Sequence, residues 1–181
     1  MEIDYSMLPP DIQDGFRIYI ERHVLPGSFV RACLENNLTM AVAESCTGGL
    51  VSSRITDIPG SSRWFERGIV SYSSEAKVEL LGVPAELIEE LGAVSAGVVE
   101  KMALGVRNLA RTDIGVGISG IAGPGGGSDF KPVGTVFFGL SAKGGALTSF
   151  KFHFNGTRKE IKYASSQKAL EFIRQYILDN V

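Results

Sequence analysis

The chain has 181 residues, 44% hydrophobic and 21% charged, with a net charge of -2. That composition suits one globular domain with a sizeable core and argues against a broad basic face for nucleic acid or an anionic membrane. Two cysteines, Cys33 and Cys46, with no secretory segment read as reduced thiols of a cytoplasmic protein, and no apolar run reaches the roughly 18–20 residues of a membrane span.

Pro9-Pro10 ends the start of the chain, and Asp11 can cap a helix with Ile12, Phe16 and Ile20 on one stripe. Pro26-Gly27 breaks it, and Ser28 opens a second helix carrying Val30, Cys33 and Leu34. Asn36-Asn37 end that helix, because Asn tolerates the left-handed conformation. Residues 1–37 are expected to form a helical arm packed on a domain of residues 38–181.

A strand is predicted from Leu38 to Ala43, then Gly48-Gly49, then a helix from Leu50 to Thr56 that stops near Pro59-Gly60. The next strand runs about Trp64 to Tyr72. Ser73 or Ser74 caps a helix through Leu81, with Glu75 in its first turn, where the dipole favours a carboxylate. Ala85 to Leu91 form a short helix. Ala96 to Arg111 form a longer one, with Val99, Met102, Ala103, Val106 and Leu109 on one side. A third strand covers Asp113 to Ser119, followed by the glycine-dense loop Gly120 to Pro132. Strands Val133–Ser141 and Ala146–Phe154 meet across Lys143-Gly144-Gly145, a hairpin signal. Thr157 caps the last helix, whose buried face holds Ile161, Ala169, Phe172, Ile173, Tyr176 and Ile177. The order predicts an α/β fold: a mixed sheet with helices on both faces and a late β-hairpin.

Three polar groups fall at element ends. Glu44-Ser45-Cys46-Thr47 stands where a strand meets a helix, a position that presents a nucleophile and aims the following N–H groups at its target. Taken alone, Ser45 reads as a helix cap before it reads as a nucleophile, and Cys46 is a rival nucleophile or a small buried hydrophobe. Lys77 falls in the first turn of a helix, where the dipole and burial both lower an amine pKa. It is then a base for a hydroxyl nucleophile, with Tyr72 to pass or hold the proton, or else a solvated lysine. Arg158 at a helix start is an anion candidate or a solvated arginine.

Gly115-Val116-Gly117-Ile118-Ser119-Gly120 matches GxGxxG but lies in a strand that leads to a loop, so a dinucleotide reading fails its context. Ser74-Glu75-Ala76-Lys77 matches SxxK, with Lys143-Gly144-Gly145 as a loose KTG, but no Ser-Asp-Asn accompanies them. No His/Cys/Asp/Glu cluster has metal-ligand spacing.

Together, Ala43-Glu44-Ser45-Cys46-Thr47-Gly48-Gly49, Pro59-Gly60-Ser61-Ser62, Phe65-Glu66-Arg67-Gly68, Tyr72-Ser73, Glu75-Ala76-Lys77, Gly92-Ala93-Val94-Ser95, Ser119-Gly120-Ile121-Ala122-Gly123-Pro124 and Lys131-Pro132-Val133-Gly134 resemble, in order and spacing, the CinA C-terminal domain family of nicotinamide mononucleotide (NMN) amidohydrolases. The resemblance implies an α/β sandwich that hydrolyses the NMN carboxamide to nicotinate mononucleotide and ammonia in pyridine-nucleotide salvage. It also implies a homodimer, a pyridine-nucleotide substrate as partner, and no metal or cofactor. Carried over, Ser45 is the nucleophile, Lys77 the base and Tyr72 the relay or positioning group. The amides of Cys46, Thr47 or Gly48 are expected to hold the oxyanion. Gly123, Gly125, Gly126, Thr157 and Arg158 are expected phosphate and ribose contacts. Phe130 and Thr157 depart from the polar or acidic residues usual at their positions, which bears on substrate affinity. The alternatives are a nucleotide-binding module without turnover and a serine amidase with another amide substrate.

Overall fold

A computed structural model describes residue 30 and residues 33–180 of the chain. The predicted helix with Ile12, Phe16 and Ile20 lies outside the described residues. Of the second helix, Cys33 is buried in the main core, Val30 and Leu34 pack against it, and Asn37 takes the expected left-handed φ of 50°.

The elements are β1 (Met40–Glu44), α1 (Leu50–Thr56), a 3-10 turn (Ser61–Arg63), β2 (Phe65–Val70), α2 (Ser74–Leu81), α3 (Ala85–Leu91), α4 (Ala96–Ala110), β3 (Ile114–Gly120), β4 (Thr135–Ala142), β5 (Leu147–His153) and α5 (Arg158–Asn180). Among the described residues the strands form one sheet in the order β2-β1-β3-β4-β5. β1 pairs in parallel with β2 and β3, and β4 pairs antiparallel with β3 and β5. The expected mixed sheet and late hairpin are therefore present.

β1 is buried along its whole length, as a strand flanked and covered on both sides should be. Its residues alternate between the two faces. Met40 and Val42 join a core that includes Ile55, Trp64, Phe138, Ile161 and Ile173; Ala41 and Ala43 join Val98, Val99, Met102 and Val106 of α4. On α4 the buried stripe begins one residue earlier than expected, at Val98, and Leu109 is exposed. On α5, Ile161, Ala169, Ile173 and Ile177 are buried, while Phe172 and Tyr176 are only partly so.

The glycines of the GxGxxG match have a packing role. Cβ atoms added at Gly115 and Gly117 would come within 2.2 Å of the Ala103 oxygen and 2.3 Å of the Val99 oxygen. Gly139 of β4 meets the same Val99 oxygen, at 2.5 Å. These positions thus let the α4 backbone approach the sheet closely, and β3 runs on into a loop rather than a helix.

The parallel register positions the site. Glu44 pairs with Val70 on one side and Ile118 on the other. Ser45 and Ser71 therefore leave β1 and β2 at the level of Ser119, which β3 still pairs with Phe137 of β4. This is the carboxyl edge of the strands, where open α/β sheets bind ligands.

Candidate active site at the carboxyl edge of the sheet

Ser45 follows β1 directly. Its N–H donates to Ile118 O at 2.9 Å, which holds the residue to β3. Its carbonyl accepts from Gly48 N–H at 3.1 Å, closing a tight turn. Gly48 and Gly49 complete the turn at φ of 63° and 91°, a conformation in which a side chain is strained. The α1 N-cap, Gly49, offers no side chain, and Glu44 takes over that function from the strand end. One Glu44 carboxylate oxygen accepts from the amides of Gly49 (3.0 Å) and Val51 (3.1 Å); the other accepts from Ser52 N (2.8 Å) and Ser52 Oγ (2.7 Å).

This arrangement corrects one expectation. The opening amides of α1 point at Glu44, not at a substrate, and Gly48 N–H is spent on Ser45 O. Of the three predicted oxyanion donors, Cys46 and Thr47 keep amides that donate to no backbone carbonyl among the described residues. Two buried hydroxyl oxygens in this region, Thr47 Oγ1 and Ser71 Oγ, have no hydrogen-bond partner among the described residues.

Lys77 enters from α2. Ser73 caps that helix by accepting from Ala76 N at 3.0 Å, which fixes where the first turn begins. Lys77 is buried, and its Nζ donates to Ser45 Oγ at 3.1 Å, Ser71 O at 2.9 Å, Tyr72 O at 3.2 Å and, more weakly, Ser73 O at 3.4 Å. Burial lowers its pKa below the ordinary 10.5, opposed by the nearby Cys46 and Glu75. Cys46 is also buried, and desolvation pushes its thiol up to about 12. A thiol so protonated makes a poor nucleophile.

Tyr72 meets Lys77 through its backbone carbonyl. Its side chain is 59% exposed, and its hydroxyl accepts from Arg158 Nη2 at 2.8 Å. Arg158 Nη1 donates to Gly123 O, also at 2.8 Å. Ser45, Tyr72, Lys77 and Arg158 line a cavity of about 170 Å³ together with the apolar residues Ala93, Val94 and Ala122. Ser119 Oγ donates to Ala93 O at 2.7 Å and so fixes Ala93 to β3.

The other predicted contacts, Gly123, Gly125, Gly126 and Thr157, are not among the residues that line this cavity. Thr157 and Glu160 form a reciprocal cap: Glu160 Oε2 accepts from Thr157 N (2.7 Å) and Oγ1 (2.8 Å), and Thr157 Oγ1 faces Glu160 N at 3.4 Å. Phe130, 92% exposed, does not line the cavity either. Sequence reading missed Glu44 as a cap; its signal is an acid five residues before a glycine N-cap. It also missed Lys162, whose Nζ would lie 3.2 Å from a Cβ on Gly48. Its signal is a second cation one turn after Arg158.

A sequence model of the CinA C-terminal domain matches residues 23–177. The chain belongs to the CinA C-terminal domain family. It is 50% identical over 154 residues to a CinA-like protein of Syntrophus aciditrophicus, covering 84% of this chain and 36% of that protein. It is 42% identical over 187 aligned positions to a CinA-like protein of Geobacter metallireducens, covering 98% and 45%. The chain thus spans less than half the length of these curated relatives. Among solved structures, a CinA superfamily protein from Klebsiella pneumoniae superposes with a TM-score of 0.80 at 31% identity, covering 83% of this chain and 94% of that one. The competence/damage inducible protein CihA from Agrobacterium tumefaciens gives 0.76 at 37% identity, covering 93% and 96%. The CinA fold of this chain agrees with the α/β class expected from its sequence. Among the described residues, no group of three or more His, Cys, Asp or Glu side chains is placed to hold a metal ion, and no helix is long and apolar enough to cross a membrane.

Proposed function

We propose that the chain is a serine amidohydrolase that releases ammonia from the carboxamide of nicotinamide mononucleotide, leaving nicotinate mononucleotide. The observation that carries this reading is the buried 3.1 Å contact between Lys77 Nζ and Ser45 Oγ at the cavity. A neutral amine has two N–H bonds and one lone pair. Ser71 O and Tyr72 O accept the two N–H bonds. The lone pair is left for the Ser45 hydroxyl proton, and burial raises the neutral fraction that can take it.

As Ser45 Oγ bonds to the amide carbon, its proton passes to Nζ and the carbonyl electrons move onto oxygen. The Cys46 and Thr47 amides stabilise that oxyanion. Collapse of the intermediate breaks the C–N bond, and Lys77 returns the proton to the departing nitrogen, giving ammonia and an ester on Ser45. Water then attacks the ester as Lys77 takes its proton, and Ser45 leaves with that proton. The sum is one water consumed and one amide converted to an acid, with no change of oxidation state. Tyr72 acts as the positioning group, since its carbonyl orients Nζ and its hydroxyl holds Arg158.

Three features support the pyridine nucleotide: membership of the CinA family, an apolar wall of Ala93, Val94 and Ala122 that suits a flat ring, and a guanidinium at the same cavity for an anionic group. The corresponding role is pyridine-nucleotide salvage in the cytoplasm, carried out by a homodimer. The test is ammonia release from NMN. Ser45→Ala abolishes it and Cys46→Ala retains it; the reverse pattern sinks the serine mechanism.

A further inference from the structure

Arg158 borders the cavity beside Lys77, and its guanidinium already bonds Tyr72 Oη and Gly123 O. Those two bonds hold it in place and commit two of its five N–H donors. One turn further along α5 stands Lys162. Residues at i and i+4 share a helix face, so both cations project from the same side of α5.

Lys162 reaches the nucleophile turn itself. A Cβ on Gly48, which has a φ of 63°, would lie 3.2 Å from its Nζ and 3.9 Å from its Cε. The ammonium therefore rests against the backbone three residues after Ser45. It is half-buried and makes no hydrogen bond or ion pair among the described residues. Two acids close by in sequence or space are taken: Glu44 by the amides of α1, and Glu160 by Thr157. The charge is felt at Cys46, where Lys162 works to lower the thiol pKa against the larger effect of burial. A partly desolvated cation without a counter-ion favours an incoming anion.

We infer that Lys162 binds the phosphate monoester of the substrate and so selects a phosphorylated nucleoside amide over its uncharged counterpart. The inference rests on the amidohydrolase reading of the same site. It assigns substrate selection to a residue outside the Ser45–Lys77 pair, and one whose charge is available without breaking an existing bond.

The test uses Lys162→Gln and Lys162→Arg with two readouts. The first is ammonia release from NMN and from nicotinamide riboside. Lys162→Gln raises KM for NMN roughly ten- to hundredfold, the worth of one charge-assisted hydrogen bond. Its kcat for NMN stays within about threefold of wild type, the preference for NMN over the riboside falls by the same factor as KM rises, and Lys162→Arg restores it. The second readout needs no turnover: calorimetric binding of ribose 5-phosphate, which weakens in Lys162→Gln in parallel with KM.

Equal loss on both amides would place Lys162 with the nucleophile and overturn the inference. Unchanged ribose 5-phosphate binding in the variant, or none in the wild type, also overturns it. If the wild type releases ammonia from neither amide, the amidohydrolase reading fails, and the binding readout still decides the role of Lys162.

Discussion

Replacing Lys77 with methionine keeps most of the buried stem and removes the amine. Nζ touches Ser45 Oγ and the carbonyls of Ser71 and Tyr72, so the change deletes the one side-chain base that, among the described residues, bonds the proposed nucleophile. A positioned general base contributes about 10²–10⁴-fold, so kcat/KM for ammonia release from NMN falls by that factor, or about 3–5 kcal/mol of barrier. The pH dependence gives a sharper signature. Burial sets the Lys77 pKa below 10.5. The wild-type kcat/KM therefore rises with pH as the amine loses its proton and levels off before pH 10.5, and Lys77→Met lacks that limb. The same residue affects stability. Because its folded pKa lies below the unfolded one, the unfolded chain binds more protons between the two values, and stability rises with pH across that window. Below both values the buried ammonium is a constant penalty. Lys77→Met removes this slope from urea titrations at stepped pH. A variant that keeps activity within tenfold of wild type, with the alkaline limb intact, would refute Lys77 as the base.

Two further substitutions test the scaffold. Glu44→Gln places an amide group against donors that now face a carboxylate, so buried N–H groups at the start of α1 lose their acceptor. The expected cost is about 2 kcal/mol, a Tm lower by roughly 4–8 °C for a chain of this size, read by calorimetry. Gly117→Ala drives a methyl into the Val99 oxygen at 2.3 Å and pushes α4 off the sheet. Overpacking of this kind costs about 1–3 kcal/mol, read as a lower urea midpoint at unchanged m-value; no loss would mean that α4 does not depend on that close approach.

Local chemistry made several elements legible. α1 and α3 form over the expected residues, Leu50–Thr56 and Ala85–Leu91, because Gly48-Gly49, Gly82, Pro84 and Gly92 mark their ends within a turn of the helix. Strand limits were less legible. The stretch Trp64 to Tyr72 reads as one strand but pairs only over Phe65–Val70. Trp64 turns into the core, and the Tyr72 carbonyl goes to Lys77 instead of the ladder. Pairing partners decide where a strand stops, and they are distant in sequence.

The sequence alone determined the mixed α/β architecture, the family, and the chemical candidates Ser45, Lys77, Tyr72 and Arg158. It could do so because periodicity, caps and turn residues act over a few positions, and because the motifs lie in fixed order. Only the tertiary structure decided which candidates meet. Parallel register brings Ser45 level with Ser71, 26 residues later, and α2 then delivers Lys77 to within 3.1 Å of the serine. The structure also assigned Glu44 to α1, spent the Gly48 amide inside the turn, tied Tyr72 to Arg158, and set Lys162 against Gly48. Each of these contacts depends on how one element packs against another, which no local pattern encodes.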